Sequence, residues 1–201
     1  MSGGRGFPDL VAPLPRTRAA LAFAAEQHAG QRRNADGAPF IAHPIEVGSL
    51  LYEVGAADDV IAAGVLHDTI EKASTSRTEL RRRFGARTAT LVAALTEDER
   101  IRGYATRKAA LRRQVEAAGV DALLVFAADK VSKVRELPLE RSGAEAETTS
   151  RTRQRKITHY RHCLDLLERH IADSPLVLQL RAELEKRTAV PRRRPALAGA
   201  V

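Results

Sequence analysis

A chain of 201 residues with 33 Lys and Arg against 25 Asp and Glu carries a formal charge of +8, which favours anionic partners such as phosphates. No apolar run reaches the roughly 18 residues a membrane span needs, and the N-terminus lacks the apolar segment of a secretory signal, so a cytoplasmic protein is expected. The single cysteine, Cys163, excludes an internal disulfide and a thiolate zinc cage, while the absence of tryptophan and the scarcity of other aromatics argue against nucleic acid as a partner.

Residues 1–15 form a Gly- and Pro-rich lead that reads as loop. Arg16 to Ala29 reads as a first helix that ends at Gly30, followed by a polar loop with Asp36-Gly37 as its turn. Pro44 suits the first turn of the next helix, which carries Ile45, Leu50, Leu51 and Val54 and stops at Gly55. A third helix is expected over Asp58 to Lys72. Ser76 and Glu79 have the spacing of a capping box opening a short helix to Phe84-Gly85, and another helix covers Ala86 to Leu95. Tyr104 to Ala118 is helical by composition and closed by Gly119. The apolar run within Asp121 to Leu137 fits a buried strand or a buried helix; with no other strand to pair with, helix is preferred. Residues 138–150 read as loop. Ile157, Tyr160, Leu164, Leu167 and Ile171 then mark a long amphipathic helix, and Ser174-Pro175 opens a last one that fades near Thr188. The expectation is one all-α domain of about eight helices over 16–188, with a basic tail, Arg192 to Arg194 included, over 189–201.

The chemistry-bearing feature is His67-Asp68, an imidazole and a carboxylate directly after an apolar helical run. Both are costly to bury unless hydrogen-bonded or bound to a metal. His43 lies upstream in Phe-Ile-Ala-His-Pro, and Asp129 ends the apolar run Leu123 to Ala128, so its carboxylate starts inside the protein. Glu71, three residues after Asp68 and four after His67, falls on the same side of a helix. Taken singly, each has an ordinary reading: a helix cap, a core hydrogen bond, an acid paired with a buried arginine. Taken together, His43, His67, Asp68 and Asp129 form a mixed nitrogen and oxygen set that suits Mn²⁺, Fe²⁺ or Zn²⁺ better than Ca²⁺. Such a metal, with open positions, can activate water and polarise a phosphoryl oxygen. His28 is expected to be structural or at a pocket edge, Cys163 to sit in the core, and His159, His162 and His170 to lie on a solvated helix surface.

These segments resemble the HD-domain metal-dependent phosphohydrolases, and more closely the hydrolase domain of the RelA/SpoT type, whose single-domain forms are small alarmone hydrolases. The likeness rests on His-Ala-Gly-Gln-Arg-Arg at 28–33, Pro-Phe-Ile-Ala-His-Pro at 39–44, Ala-Gly-Val-Leu-His-Asp-Thr-Ile-Glu at 63–71, Phe-Gly at 84–85, Leu-Val at 91–92 and Ala-Ala-Asp-Lys-Val-Ser-Lys-Val-Arg-Glu-Leu at 127–137. The resemblance implies a single helical HD-domain bundle that binds Mn²⁺ through His43, His67, Asp68 and Asp129 and removes the 3′-pyrophosphate from ppGpp or pppGpp. It implies that Glu71 positions or deprotonates the attacking water and that Arg32, Arg33, Lys156 and Tyr160 contact substrate. Three positions depart from the family. Glu71-Lys72 stands where the family has Glu-Asp, Lys133 where it has asparagine, and the loop Asn34 to Ala38 is one residue longer. Lys72 is thereby offered to Asp68 or a substrate phosphate, and Lys133 to the nucleotide. Two alternatives stay open: another nucleotide substrate, such as a nucleoside monophosphate or NADPH, which Lys133 favours, and a non-catalytic sensor of metal and nucleotide, which Lys72 favours.

Overall fold

The computed structural model describes residues 6–33, 36–137 and 146–189, with backbone alone over 146–150. The described residues are helical, and their β pairing is an isolated bridge between Arg32 and Pro39. The helices are α1 (Phe7–Leu10), α2 (Pro15–Gln27), α3 (Ala42–Glu53), α4 (Asp58–Leu66), α5 (Thr69–Ala73), α6 (Arg77–Leu95), α7 (Tyr104–Ala118), α8 (Val120–Arg135), α9 (Ala146–Ile171) and α10 (Pro175–Thr188). None among the described residues is long and apolar enough to cross a membrane.

Two helices are central. All of Val60 to Leu66 in α4 is buried, the pattern of a helix apolar on every side, and it packs against α2, α3, α6 and α8. In α8 the buried set runs through Leu123, Val125, Phe126, Ala127 and Ala128 to Asp129, and this helix touches α3, α4, α6, α7, α9 and α10. The apolar run that could have been a strand is therefore the helix that most of the bundle surrounds. Asp58 ties two helix starts together: Oδ1 accepts from the Thr17 N–H at 2.8 Å and Oδ2 from the Arg16 N–H at 3.0 Å. A carboxylate at the start of both α2 and α4 satisfies free N–H groups and suits both dipoles.

Glycine sets the closest approach. A Cβ on Gly64 of α4 would stand 2.3 Å from Leu51 Cδ1 and 3.3 Å from Val47 Cγ1 of α3. One on Gly48 of α3 would stand 2.8 Å from Val65 Cγ2 of α4. Each missing side chain lets the α3 and α4 backbones meet. Gly85, at φ 89° and ψ 167°, kinks α6 in two, as Phe84-Gly85 predicted, and Ser76 Oγ caps the first half by accepting the Glu79 N–H at 3.1 Å.

Four expectations need correction. The lead is not all loop: α1 sits within it, Phe7 and Val11 are buried in the core, and the Phe7 ring meets Tyr52 edge-on at 6.2 Å. The helix expected over Asp58 to Lys72 breaks at His67-Asp68. There His67 Nδ1 donates to the Gly64 carbonyl at 2.7 Å and Thr69 Oγ1 to the Leu66 carbonyl at 2.7 Å, side-chain bonds that compete with the helical ladder. The segment read as loop over 138–150 becomes helical at Ala146, its first part lying outside the described residues. His159 is buried rather than on a solvated surface, for reasons given with the cleft below. The tail beyond residue 189, with Arg192 to Arg194, also lies outside the described residues.

Candidate metal centre and its cleft

The place where α3, α4 and α8 meet gathers the four candidate ligands. His43 enters from the first turn of α3, His67 from the end of α4, Asp68 from the break after it, and Asp129 from the middle of α8. All four are buried, at 1%, 4%, 3% and 2% exposure. His43 Nε2 lies 3.2 Å from His67 Nε2, and Asp129 Oδ1 lies 3.2 Å from the first and 3.3 Å from the second. Asp68 reaches His67 Nε2 with Oδ1 at 3.4 Å and His43 Nε2 with Oδ2 at 3.8 Å.

Proton positions follow from the outer partners. His67 Nδ1 faces a carbonyl, which only accepts, so Nδ1 carries hydrogen. His43 Nδ1 faces Ser132 Oγ at 2.8 Å, and that hydroxyl donates to Glu46 Oε2 at 2.7 Å, so His43 Nδ1 is also the protonated nitrogen. In the neutral rings both Nε2 lone pairs therefore point inward, toward each other and toward a carboxylate. Asp68 Oδ2 is buried with no hydrogen-bond partner. Inward lone pairs of two imidazoles, a shared carboxylate oxygen and an unpartnered one are the donor set of a divalent cation, and His43, His67 and Asp129 meet the geometry of such a site. The residues present thus fit a metal.

The electrostatics separate the two imidazoles. Burial pushes His43 down to about 4. At His67, burial works against the charge but Asp68 and Asp129 outweigh it, so a proton is held more tightly than usual. Burial would likewise raise Asp68 and Asp129, yet neighbouring cations keep both carboxyls below the ordinary range. For Asp68 these are chiefly His67 and Lys133. For Asp129 the chief ones are Lys130, whose Nζ is 2.5 Å from Oδ2, and Lys133, whose Nζ is 2.8 Å from Oδ1.

The centre forms the floor of a cleft of about 910 Å³. Each residue the sequence offered for catalysis or substrate contact lines it: Glu71, Arg32, Arg33, Lys72, Lys133, Lys156 and Tyr160. Glu71 is half-buried, with Oε1 accepting the Glu97 N–H at 2.5 Å and its carboxyl raised by burial. Arg33 is held by Asp36 and Glu136, and Arg32 donates to the Gly37 carbonyl at 2.8 Å. Lys72 makes no ion pair with Asp68; its ammonium stands over the Phe40 ring at 5.2 Å.

Three further cleft residues were not singled out from the sequence. Lys130 is adjacent to Asp129 and buried, its ammonium 4.4 Å from the centre of the Phe126 ring. Lys108 pairs with Glu97, and Tyr104 has Lys108 at 5.5 Å and Arg155 at 4.8 Å from its ring. His159 corrects an expectation. It is 5% exposed, turned inward so that Arg112 donates to Nδ1 at 3.1 Å and Cys163 Sγ lies 3.6 Å away, while His162 and His170 are exposed as expected. The turn of α9 that presents Tyr160 and Cys163 to the core presents His159 as well. Cys163 is a core residue, and His28 is buried, donating to Gln31 Oε1 at 2.9 Å beside the Phe40 ring.

A helical bundle whose paired imidazoles and acids meet between its central helices is the hallmark of one family. The HD domain profile matches residues 20–158, and the chain belongs to the HD domain family. Within it, the chain is similar to proteins of the SpoT type. It is 41% identical over 121 residues to the guanosine-3′,5′-bis(diphosphate) 3′-pyrophosphohydrolase MESH1 of Danio rerio, covering 57% of this chain and 65% of that protein. It is 40% identical over 93 residues to the probable guanosine-3′,5′-bis(diphosphate) 3′-pyrophosphohydrolase of a Synechocystis strain, covering 46% of this chain and 12% of that protein. The chain thus spans less than two thirds of the length of these curated relatives. A solved structure of a metazoan orthologue of SpoT that hydrolyses ppGpp superposes with a TM-score of 0.72 at 22% identity, over 87% of this chain and 97% of that one, which establishes the fold.

Proposed function

We propose that the chain is a metal-dependent pyrophosphohydrolase that removes the 3′-pyrophosphate from (p)ppGpp, giving GDP or GTP. The observation that carries this reading is the inward pair of His43 and His67 Nε2 atoms around Asp129 Oδ1, at the floor of a cleft lined by lysines and arginines. His43, His67, Asp68 and Asp129 would hold the ion, and their mixed nitrogen and oxygen chemistry suits Mn²⁺, with Fe²⁺ or Zn²⁺ as substitutes. When bound, that ion supplies Lewis-acid chemistry, acidifying water and polarising a phosphoryl oxygen. The chain's own residues supply the rest. Glu71, anchored through one oxygen to the Glu97 N–H, keeps its other oxygen for the proton of the attacking water, and its raised affinity for protons suits a general base. Arg32, Arg33, Lys72, Lys133, Lys156 and Tyr160 bind and orient the phosphates and nucleoside. Water adds to the 3′-linked phosphorus as Glu71 takes its proton, the bond to the 3′-oxygen breaks, that oxygen is protonated to the 3′-hydroxyl of GDP or GTP, and pyrophosphate is released.

Lys72 favours a second reading. It puts a cation where the resembled family has an acid, and a sensor that binds metal and nucleotide without turnover would tolerate it. The deciding experiment incubates Mn²⁺-loaded protein with ppGpp and follows GDP and pyrophosphate. Release that stops on chelation and returns with Mn²⁺ is expected. Binding without release supports the sensor; hydrolysis of another nucleotide in place of ppGpp supports the altered substrate that Lys133 favours.

A further inference from the structure

Behind His43 runs a chain of hydrogen bonds with a direction. His43 Nδ1 meets Ser132 Oγ at 2.8 Å, and Ser132 Oγ meets Glu46 Oε2 at 2.7 Å. Glu46 Oε1 accepts from Arg135 Nη1 at 2.9 Å. Arg135 is clamped from the last helix: Nη2 donates to Gln179 Oε1 at 3.3 Å, Nε lies 3.6 Å from Glu183 Oε1, and Arg187 Nη2 donates to the Arg135 carbonyl at 2.6 Å. The residues of α10 lie beyond the segment that matches the HD domain profile.

A serine hydroxyl can donate or accept toward an imidazole, so Ser132 alone does not decide which nitrogen of His43 holds the proton. A carboxylate can only accept. With Glu46 ionised, Ser132 must give its proton to Glu46 and receive the one on His43 Nδ1. Reversing the chain would put hydrogen on His43 Nε2, where it could bond Asp129 Oδ1 at 3.2 Å and cap the lone pair that faces the centre. In the metal-free protein that reversed form would add a donor to Asp129 Oδ1 beside the Lys133 ammonium, 2.8 Å away. Among the described residues, the one other acid near Nδ1 is Glu136, whose Oε1 is 3.8 Å away and faces Arg33.

We infer that Glu46, acting through Ser132 and held by Arg135 and α10, is a positioning residue that locks His43 in the Nδ1–H tautomer and so keeps its Nε2 lone pair open to a metal. The inference rests on the reading of His43 as a metal ligand. Glu46→Gln is the sharp test because it preserves shape. Arg135 only donates, so the Gln carbonyl turns to it and the amide NH₂ turns to Ser132. Ser132 must then accept from the amide and give its own proton to His43 Nδ1, which reverses the chain. A role in packing alone would not respond to so isosteric a change.

The experiment reads the tautomer of His43 by long-range ¹H–¹⁵N NMR on the metal-free full chain, and Mn²⁺ affinity by calorimetry. The wild type should show Nδ1–H, and Glu46→Gln should show Nε2–H with an affinity about 10- to 100-fold weaker, at an unchanged thermal midpoint. Ser132→Ala, which removes the relay atom, should also weaken Mn²⁺. An unchanged His43 tautomer in Glu46→Gln, or a reversed one with unchanged Mn²⁺ affinity, overturns the inference. Failure of the wild type to bind Mn²⁺ would instead defeat the metal reading, and the tautomer would still decide whether the lock exists.

Discussion

Gly64→Ala tests whether the α3–α4 contact sets the geometry of the centre. The new Cβ would lie 2.3 Å from Leu51 Cδ1 and 3.3 Å from Val47 Cγ1. Non-bonded carbons rest at about 3.5–4.0 Å, so Leu51 must retreat by more than about 1 Å. Leu51 and Val47 are both fully buried, and little space receives them. Two effects oppose each other. Replacing glycine inside a helix gains about 1 kcal/mol. Overpacking a filled core costs about 1–3 kcal/mol. The expected net is a loss of about 1 kcal/mol, read by urea unfolding followed by circular dichroism. The second readout is more specific. α3 carries His43 and α4 carries His67, with their Nε2 atoms 3.2 Å apart, so pushing the helices apart opens the donor set. Mn²⁺ affinity measured by calorimetry should fall roughly tenfold, equivalent to about 1.4 kcal/mol. Adding Leu51→Val, which removes the clashing methyl, should recover much of that loss. A Gly64→Ala protein that gains its full helix increment and binds Mn²⁺ like the wild type would refute the reasoning.

Two further outcomes are expected elsewhere in the cleft. Burial, reinforced by Lys130, Lys108 and Arg112, pushes the imidazole of His159 far below its ordinary 6.5. Its contribution is therefore present above the unfolded value and lost as pH falls, because only the unfolded state takes the proton; at pH 5 that loss is about 2 kcal/mol. His159→Gln should lose less stability than the wild type between pH 7 and pH 5 in urea titrations, and parallel losses would show that His159 is not the sensitive group. Lys72→Asp should raise turnover of ppGpp on the order of tenfold by returning an acid beside Glu71; unchanged kcat would mean that the ammonium over Phe40 does not limit the reaction.

Much of the fold was legible because its signals are local. Gly85, Gly119 and Ser174-Pro175 stop or start helices through the backbone itself, and the structure uses each of them. The all-apolar stretch before His67 was readable as a buried helix for the same reason. The break at His67-Asp68 was not legible, because it depends on side chains competing for the Gly64 and Leu66 carbonyls while composition still favours helix. The lead misled because its prolines and glycines speak for loop, whereas Phe7 is fixed by a distant partner, Tyr52. His159 misled because exposure was judged from residue type; the three-residue step from His159 to His162 crosses from the buried to the exposed side of α9.

The centre divides along the same line. His43 and Glu46 are three apart on α3, and Asp129 is three from Ser132 and four from Lys133 on α8, so each helix alone announces a polar strip on one face. What neither helix announces is the order of the bonds between strips. Ser132 Oγ joins His43 and Glu46 because α8 packs directly against α3. A sequence can thus name the groups that could hold a metal, since burying them demands hydrogen bonds, ion pairs or a cation. It cannot name the group that fixes their protons, since Glu46 is an unremarkable helical acid until Arg135 and α10 are placed behind it. Residues that tune such a centre lie where helices distant in sequence cross, so a substitution at Glu46 or on α10 can alter metal binding while leaving every ligand in place.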